Sequence, residues 1–202
     1  MAIRILRAIL RKWLSLEHRI ASRWHKASCL LGARLDGCHL TLGEGVVCHI
    51  PVRVRGKGHV RIDDHVSFGR GPSRLRNRSA VTIYAGSEDA VIRIGAGTFF
   101  NNDSGVTATC SVELGARCLI GDQVAILDSD FHDVDPALRH SSHGKAAAIV
   151  LEDNVWLAAR VMVMKGVRIG ENTVVGAGSV VTKSLAANVF AGGVPAKTIR
   201  EI

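Results

Sequence analysis

From residue 151 onward an aliphatic side chain returns at every sixth position: Leu151, Leu157, Val163, Ile169, Val175 and Val181. Four residues after each stand Val155, Val161, Val167, Thr173, Ser179 and Leu185, mostly small or β-branched, and Ala158, Gly170 and Gly176 directly follow three of the leading residues. Neither the 3.6-residue period of a helix nor the alternation of a lone strand gives a strict six, so the segment is a repeat architecture. Each unit is a short strand and a corner. Three units close a triangular coil of about 18 residues that puts the aliphatic inside at every level. Parallel coils then hydrogen-bond along the axis.

The same phase recurs at Leu114, Ile120 and Ile126, with Gly115 and Gly121 following the first two. Further upstream, Leu42-Gly43, Ile62-Asp63, Ile94-Gly95 and Leu114-Gly115 are separated by 20, 32 and 20 residues. This spacing predicts coils with two extra residues each and one larger insertion, in the basic stretch Arg70 to Arg78 or in Gly86 to Ala90. Between Ile126 and Leu151 the step is 25 residues, which is no multiple of six. A loop must leave the rod there. It spans 128–148, opens with Asp128-Ser129-Asp130-Phe131-His132-Asp133-Val134-Asp135-Pro136 and stays polar to Lys145. Long excursions from a rigid repeat tend to carry function.

Composition agrees with many short strands and tight corners: 47% of residues are hydrophobic but only 4% aromatic, and there are 21 Gly against 4 Pro. The net charge of +8 suits nucleic acid, an anionic membrane surface or an acidic ligand such as a nucleotide phosphate. No RNP, zinc-finger or KH signature is present and aromatic residues for base stacking are scarce, which argues against nucleic acid. Five cysteines, Cys29, Cys38, Cys48, Cys110 and Cys118, form no CxxC pair and point to no disulfide framework or zinc ribbon. A reducing cytoplasm is the expected location.

Residues 2–24 read as an amphipathic helix. Ile3, Leu6, Ile9, Leu10, Trp13, Leu14, Leu16, Ile20 and Trp24 share one face, with Arg4, Arg7, Arg11, Lys12, Ser15, His18, Arg19 and Ser22 on the other. The basic residues interrupt any run long enough for a signal-peptide core or a membrane span, so secretion is not expected. Two roles stay open for this helix: packing on the remaining protein or on a neighbouring subunit, or lying on an anionic membrane, which would put the protein at the membrane's inner face. The expected division is a basic helical segment over 1–38 and a β-helix domain over 39–202.

The motifs Asn154-Val155-Trp156-Leu157, Lys165-Gly166-Val167-Arg168-Ile169-Gly170, Gly176-Ala177-Gly178-Ser179-Val180-Val181-Thr182-Lys183 and Ala191-Gly192-Gly193-Val194-Pro195-Ala196-Lys197 closely resemble the hexapeptide-repeat acyltransferases. The nearest branches are the maltose, galactoside and nodulation-factor O-acetyltransferases and the enzymes that acetylate bacterial surface polysaccharides. The resemblance covers about residues 92–202. It implies a left-handed parallel β-helix and a homotrimer, with acetyl-CoA in the groove between neighbouring β-helices and a sugar or glycan acceptor entering from the opposite end. It also implies acetyl transfer to a hydroxyl, with a loop histidine as general base.

Carried over residue by residue, the resemblance makes His132 that base, imidazole being the side chain generally suited to deprotonate a sugar hydroxyl as it attacks a thioester. The amide of Ala159 is the implied oxyanion donor. Pantetheine and nucleotide contacts fall at Ala159, Ala177, Thr182 and Lys183, with Lys197 and Arg200 reaching phosphates. Asn101, Asn102 and Asp103 face the acceptor. Trp156 either lines the site or seals a subunit contact. Asp130, with Asp128, Asp133 and Asp135, either orients His132 and binds acceptor hydroxyls or is a solvated acidic loop.

The chain departs from the family pattern at Ala158-Ala159, where a Gly is usual in the first of the two positions, and in residues 1–40, which lack the family's acidic, aromatic helical domain. That leaves the acceptor undefined. His140 and His143 with His132 match zinc spacing poorly, so no metal is expected. Two other classes are a non-catalytic β-helix scaffold, against which the His132 loop argues, and an N-acetyltransferase acting on an amino sugar. The latter usually carries a Rossmann half, and no GxGxxG following a strand is present.

Overall fold

A computed structural model describes residues 2–69 and 80–202, with side chains inside the N-terminal helix described from Arg19 onward. Short strands stack into three parallel sheets, the faces of a prism. The first face runs through His39–Leu42, His59–Ile62, Val91–Ile94, Ser111–Leu114, Ile149–Leu151 and Arg168–Ile169. The second begins at Val47–Cys48 and ends in an antiparallel pair, Val189–Gly193 with Ala196–Glu201. The third stacks Val52–Gly56, Val81–Ala85, Gly105–Ala108, Ala125–Leu127, Met162–Val163 and Val180–Val181. This is the triangular coil that the six-residue period predicts and the left-handed hexapeptide-repeat β-helix that the resemblance implies, with the expected N-terminal helix and excursion loop.

Register explains the core. Leu42, Ile62, Ile94, Leu114, Leu151 and Ile169 lie one above another on the first face. Phe68, Phe100, Ile120, Leu157 and Val175 do so on the second, and Ile83, Val106, Ile126, Val163 and Val181 on the third. Apart from half-buried Leu42, all of these are buried. In the strict coils the residues four positions on, Val155, Val161, Val167, Thr173, Ser179 and Leu185, are buried too, and the two polar ones return a hydrogen bond to a corner carbonyl. Thr173 Oγ1 donates to Ala186 O at 2.6 Å and Ser179 Oγ to Gly176 O at 2.6 Å, so both of these buried hydroxyl protons are satisfied. One position breaks phase: Leu185 stands under Ile169 rather than under Val167, because the last coil is two residues short.

Extra residues are expelled at corners, where they disturb no ladder. Between the third and first faces the step is six residues from Val163 to Ile169, eight from Val106 to Leu114 and eleven from Ile83 to Ile94. From Ile126 to Leu151 it is twenty-five. Between the second and third faces the step from Phe68 to Ile83 is fifteen where Phe100 to Val106 is six. The larger insertion is therefore divided between both corners; Arg70 to Arg78 itself lies outside the described residues.

The corner between the first and second faces leaves no room for a side chain at its glycines. A Cβ on Gly115 would come within 2.6 Å of the Asp153 amide nitrogen, and one on Gly95 within 2.4 Å of the Gly115 carbonyl carbon. Beside this glycine column, Asn154, Asn172 and Asn188 all adopt φ of 58°, a left-handed conformation that Asn tolerates. Their amides hydrogen-bond one to the next at 2.9 and 2.8 Å.

Helix α1 (Ala2–Asp36) continues twelve residues beyond the expected Trp24. Among its described side chains the inner face carries no aliphatic run that the sequence would advertise. Small Cys29 and Ala33 are buried there, Ser22 Oγ accepts from the Cys48 amide at 3.2 Å, and Asp36 pairs with Arg55 at 2.9 Å. The helix touches all three strands of the first coil and closes that end of the core. It stops in a Schellman motif at Gly37 (φ 85°), with Gly37 N donating to Arg34 O and Cys38 N to Ala33 O. Burial pushes the Cys29 thiol up to about 12 and that of Cys48 to about 11, so both stay protonated fillers between helix and coil.

The glycine column is testable. Replacing Gly115 by Ala forces the backbone of the next coil to shift, and we expect the melting temperature to fall by roughly 2–10 °C. Gly105→Ala, where the nearest atom is 3.8 Å away, changes it by less than about 2 °C. Equal melting temperatures for the two variants would contradict the packing argument.

Candidate active site

The excursion leaves the third face at Leu127 and rejoins the first at Ile149. At the departure point Asp128 takes an inward position, fully buried. Its carboxylate accepts from the amides of Thr109 (2.8 and 3.0 Å), Cys110 (2.8 Å) and Ser111 (2.9 Å) and from Thr109 Oγ1 (3.0 Å). These donors belong to the corner of the preceding coil, where continued strand pairing would otherwise have satisfied them. Asp128 is thus a structural anchor of the loop rather than a partner of His132. The same carboxylate, after burial itself, pushes the Cys110 thiol up.

The loop is drawn into a closed hairpin. Ser129 and Ala146 form an antiparallel bridge, Asp130 N donates to Lys145 O at 3.0 Å and Ala147 N to Asp128 O at 2.9 Å. Asp130 also pairs with Lys165 of the following coil at 2.5 Å, both side chains about three-quarters covered. Asp133 accepts from Ser142 Oγ and from Asp135 N, and Asp135 accepts from Ala137 N. The acidic residues therefore order the loop by side chain-to-backbone turns.

His132 stands exposed on this scaffold with Nδ1 at 3.2 Å from the Arg139 carbonyl. The Nδ1–H tautomer donates there and leaves the Nε2 lone pair free. The Arg139 guanidinium bonds Val134 O at 3.1 Å, which holds the carbonyl in place. Gly144 (φ 70°) lies directly against the His132 backbone: a Cβ there would sit 2.5 Å from His132 O. Arg139, Gly144 and Lys165 were given no site role from sequence, Lys165 only opening one of the quoted motifs. Only Gly144, a lone glycine in a polar loop, carried a readable signal.

The remaining candidates fall on other edges of the prism. Asn101, Asn102 and Asp103 occupy the corner between the second and third faces, where Asp122 of the next coil accepts from Asn101 Nδ2 (3.0 Å) and from the Asn102 amide (3.2 Å). Ala159 and Ala177 stack lower on that same corner, Gly178 N donating to Ala159 O. The Ala159 amide N–H has no hydrogen-bond partner among the described residues. Thr182 and Lys183 are exposed on the corner below the excursion loop. Trp156 is half-exposed on the outside of the second face, between Leu119 and Val174. Lys197 and Arg200 lie on the final strand, with Arg200 5.7 Å over the Phe190 ring. One copy of the chain thus presents His132 at one corner, and the asparagines and the free Ala159 amide at another. Among the described residues, no group of three or more potential metal ligands forms a site.

The family model described as bacterial transferase hexapeptide (six repeats) matches residues 148–183. The galactoside O-acetyltransferase of Lactococcus lactis is 37% identical over 120 residues, covering 59% of this chain and 58% of the relative. That of Escherichia coli K12 is 38% identical over 111 residues, covering 55% and 54%. The chain therefore spans little more than half the length of the curated relatives it matches. Among solved structures, a galactoside acetyltransferase in complex with coenzyme A is 32% identical, with a TM-score of 0.55 over 68% of this chain and 66% of that one. The likeness in sequence and in fold is to the hexapeptide-repeat acyltransferases, as the motifs implied.

The Asp128 anchor makes a prediction. In Asp128→Asn, even with the amide oxygen facing the three backbone N–H groups, the NH₂ meets the Thr109 amide and hydroxyl in place of an acceptor and the charge assisting every bond is lost, and we expect a stability loss of about 2–4 kcal/mol. It is read as a lower denaturant midpoint at unchanged m-value. An unchanged midpoint would sink the anchoring role.

Proposed function

We propose that the protein transfers an acetyl group from acetyl-CoA to a hydroxyl of a sugar or surface-polysaccharide precursor, with His132 as general base. The observation that carries this reading is the fixed tautomer: Nδ1 is engaged by the Arg139 carbonyl and Nε2 is open. Nε2 takes the acceptor hydroxyl proton as the oxygen attacks the thioester carbonyl. The C–S bond then breaks and the imidazolium returns the proton to the leaving CoA sulfur. The unpartnered Ala159 amide suits the oxyanion of the tetrahedral intermediate.

This chemistry requires His132 and Ala159 in one cleft, yet they stand on different corners flanking the third face. A homotrimer in which the corner of one copy meets that of the next reconciles this. Ala177, Thr182, Lys183, Lys197 and Arg200 are then the CoA contacts, and Asn101, Asn102, Asp103, Asp130 and Trp156 line the acceptor side.

Coenzyme A release in the presence of a sugar panel tests the assignment. We expect His132→Ala to lose about 10²–10⁴-fold in turnover while its melting temperature stays within about 2 °C of the parent. Unchanged turnover would refute the base. Inclusion of amino sugars in the panel separates O- from N-acetylation by mass and alkaline lability of the product.

The helix supports a peripheral membrane contact. Ile20, Trp24, Leu31 and Leu35 are 60, 72, 59 and 75% exposed along one side of α1, turned away from the coil they were free to pack on. Exposed Arg19, Arg23 and Arg34 flank them, a pattern suited to an anionic bilayer surface at the inner face of the membrane. No described helix is long and apolar enough to cross a membrane. We expect co-sedimentation with phosphatidylglycerol-containing vesicles that weakens with salt and with Trp24→Ser. Equal recovery on neutral and anionic vesicles would exclude the electrostatic contact.

A further inference from the structure

The corner that emits the excursion loop also holds a cleft of about 520 Å³ on the N-terminal side of that loop, between it and the two preceding corners. Its volume falls in the range of small-ligand sites, ~300–1,000 Å³. Tyr84, the only tyrosine of the chain, forms one wall and is 41% exposed. Its ring crosses Gly86 so closely that a Cβ there would lie 2.9 Å from Cε1. Phe131 forms part of the opposite wall, in a left-handed conformation (φ 62°) that is costly for a bulky residue.

Hydroxyls edge these aromatic surfaces. Ser87 Oγ donates to Thr109 O at 2.9 Å and Thr109 Oγ1 donates to Asp128 at 3.0 Å, which leaves their lone pairs as acceptors. Ser129 Oγ accepts from the Phe131 amide at 3.0 Å and keeps its own proton as a donor. The Tyr84 hydroxyl has no partner among the described residues. Among the described residues His143 is the one titratable side chain besides Tyr84 that lines the cleft, and no described Lys, Arg, Asp or Glu does.

We propose that this cleft is a saccharide subsite for a neutral sugar ring of the acceptor, one unit or more from the ring that is acetylated. A pyranose has an apolar C–H face and a hydroxyl rim. The cleft answers the first with an aromatic plane and the second with short hydroxyls of both polarities. The described lining offers no carboxylate, guanidinium or ammonium to pair with a charged sugar, which favours a neutral ring. The subsite is joined to the reaction centre by the chain itself, because Phe131 precedes His132 and the Gly144 wall rests on the His132 backbone. This inference rests on the proposed activity for its biological use but not for its binding chemistry.

Binding is therefore measured first, by saturation-transfer NMR of the full chain with neutral di- to hexasaccharides of glucose, galactose and N-acetylglucosamine, without acetyl-CoA. We expect an oligosaccharide to bind wild type and His132→Ala, with Tyr84→Ala weakened about tenfold and Tyr84→Phe within about threefold. In the acetyl-transfer assay Tyr84→Ala raises KM for that oligosaccharide by the same factor, with KM for acetyl-CoA unmoved. Binding without any transfer would retain the subsite and overturn the proposed activity. Undiminished binding in Tyr84→Ala, or no binding of any panel member to wild type, would overturn the subsite.

Discussion

Apart from the C-terminal antiparallel pair, every described strand finds its main-chain partners in the coils above and below, and that vertical stacking governs the rest of the structure. A strand of two residues has almost no stability of its own. It persists because Leu157, for instance, is fixed over Ile120 on one side and Val175 on the other, with the aliphatic columns excluding water. Such stacking tolerates change along the outside of a face and at corners but none in register, since a slip of one residue would turn the buried column outward. Surplus residues therefore leave at a corner or not at all.

The corner between the third and first faces shows how this constraint turns into a functional opportunity. It carries no surplus in the regular coils, two residues in the looser ones, five beyond Ala85 and a full loop beyond Leu127. Removing a loop from a stacked ladder leaves backbone amides without partners, and Asp128 fills that deficit with one carboxylate facing three of them. A rigid origin is what allows His132, four residues away, to be positioned by a single carbonyl. On the proposed reading, catalytic precision derives from an anchor that never meets the substrate.

The period of six was legible because it is enforced at every level of the rod, so the buried columns and the breach after Ile126 could be read directly. Features that depend on one contact rather than on a repeated one were not. The end of α1 is set by Cys29 and Ala33 against the first coil, small residues that carry no hydrophobic period. Leu185 slips under Ile169 because the final coil is short, which no local pattern announces. Asp128 and Asp130 look alike in sequence, yet one is wholly buried under a corner and the other is tied to Lys165. Tyr84 reads as an ordinary outward strand residue, and only the stacking of Gly86, Ser87 and Thr109 beside it makes a cleft.

Regularity and irregularity are also divided along the axis, and the division has a chemical logic. The strict coils after Leu151 present repeated, nearly identical corners, as a long, extended donor such as acetyl-CoA would require on the proposed reading. The looser coils before Ile126 hold the insertions, the Tyr84 cleft and, at the far end, the helix with its exposed apolar stripe. On the proposed reading each serves a partner rather than the repeat. An acceptor attached to a lipid at a membrane surface would meet the helix first, then the cleft, then His132. The order of these features along the rod follows the order in which such an acceptor would be captured, threaded and acetylated.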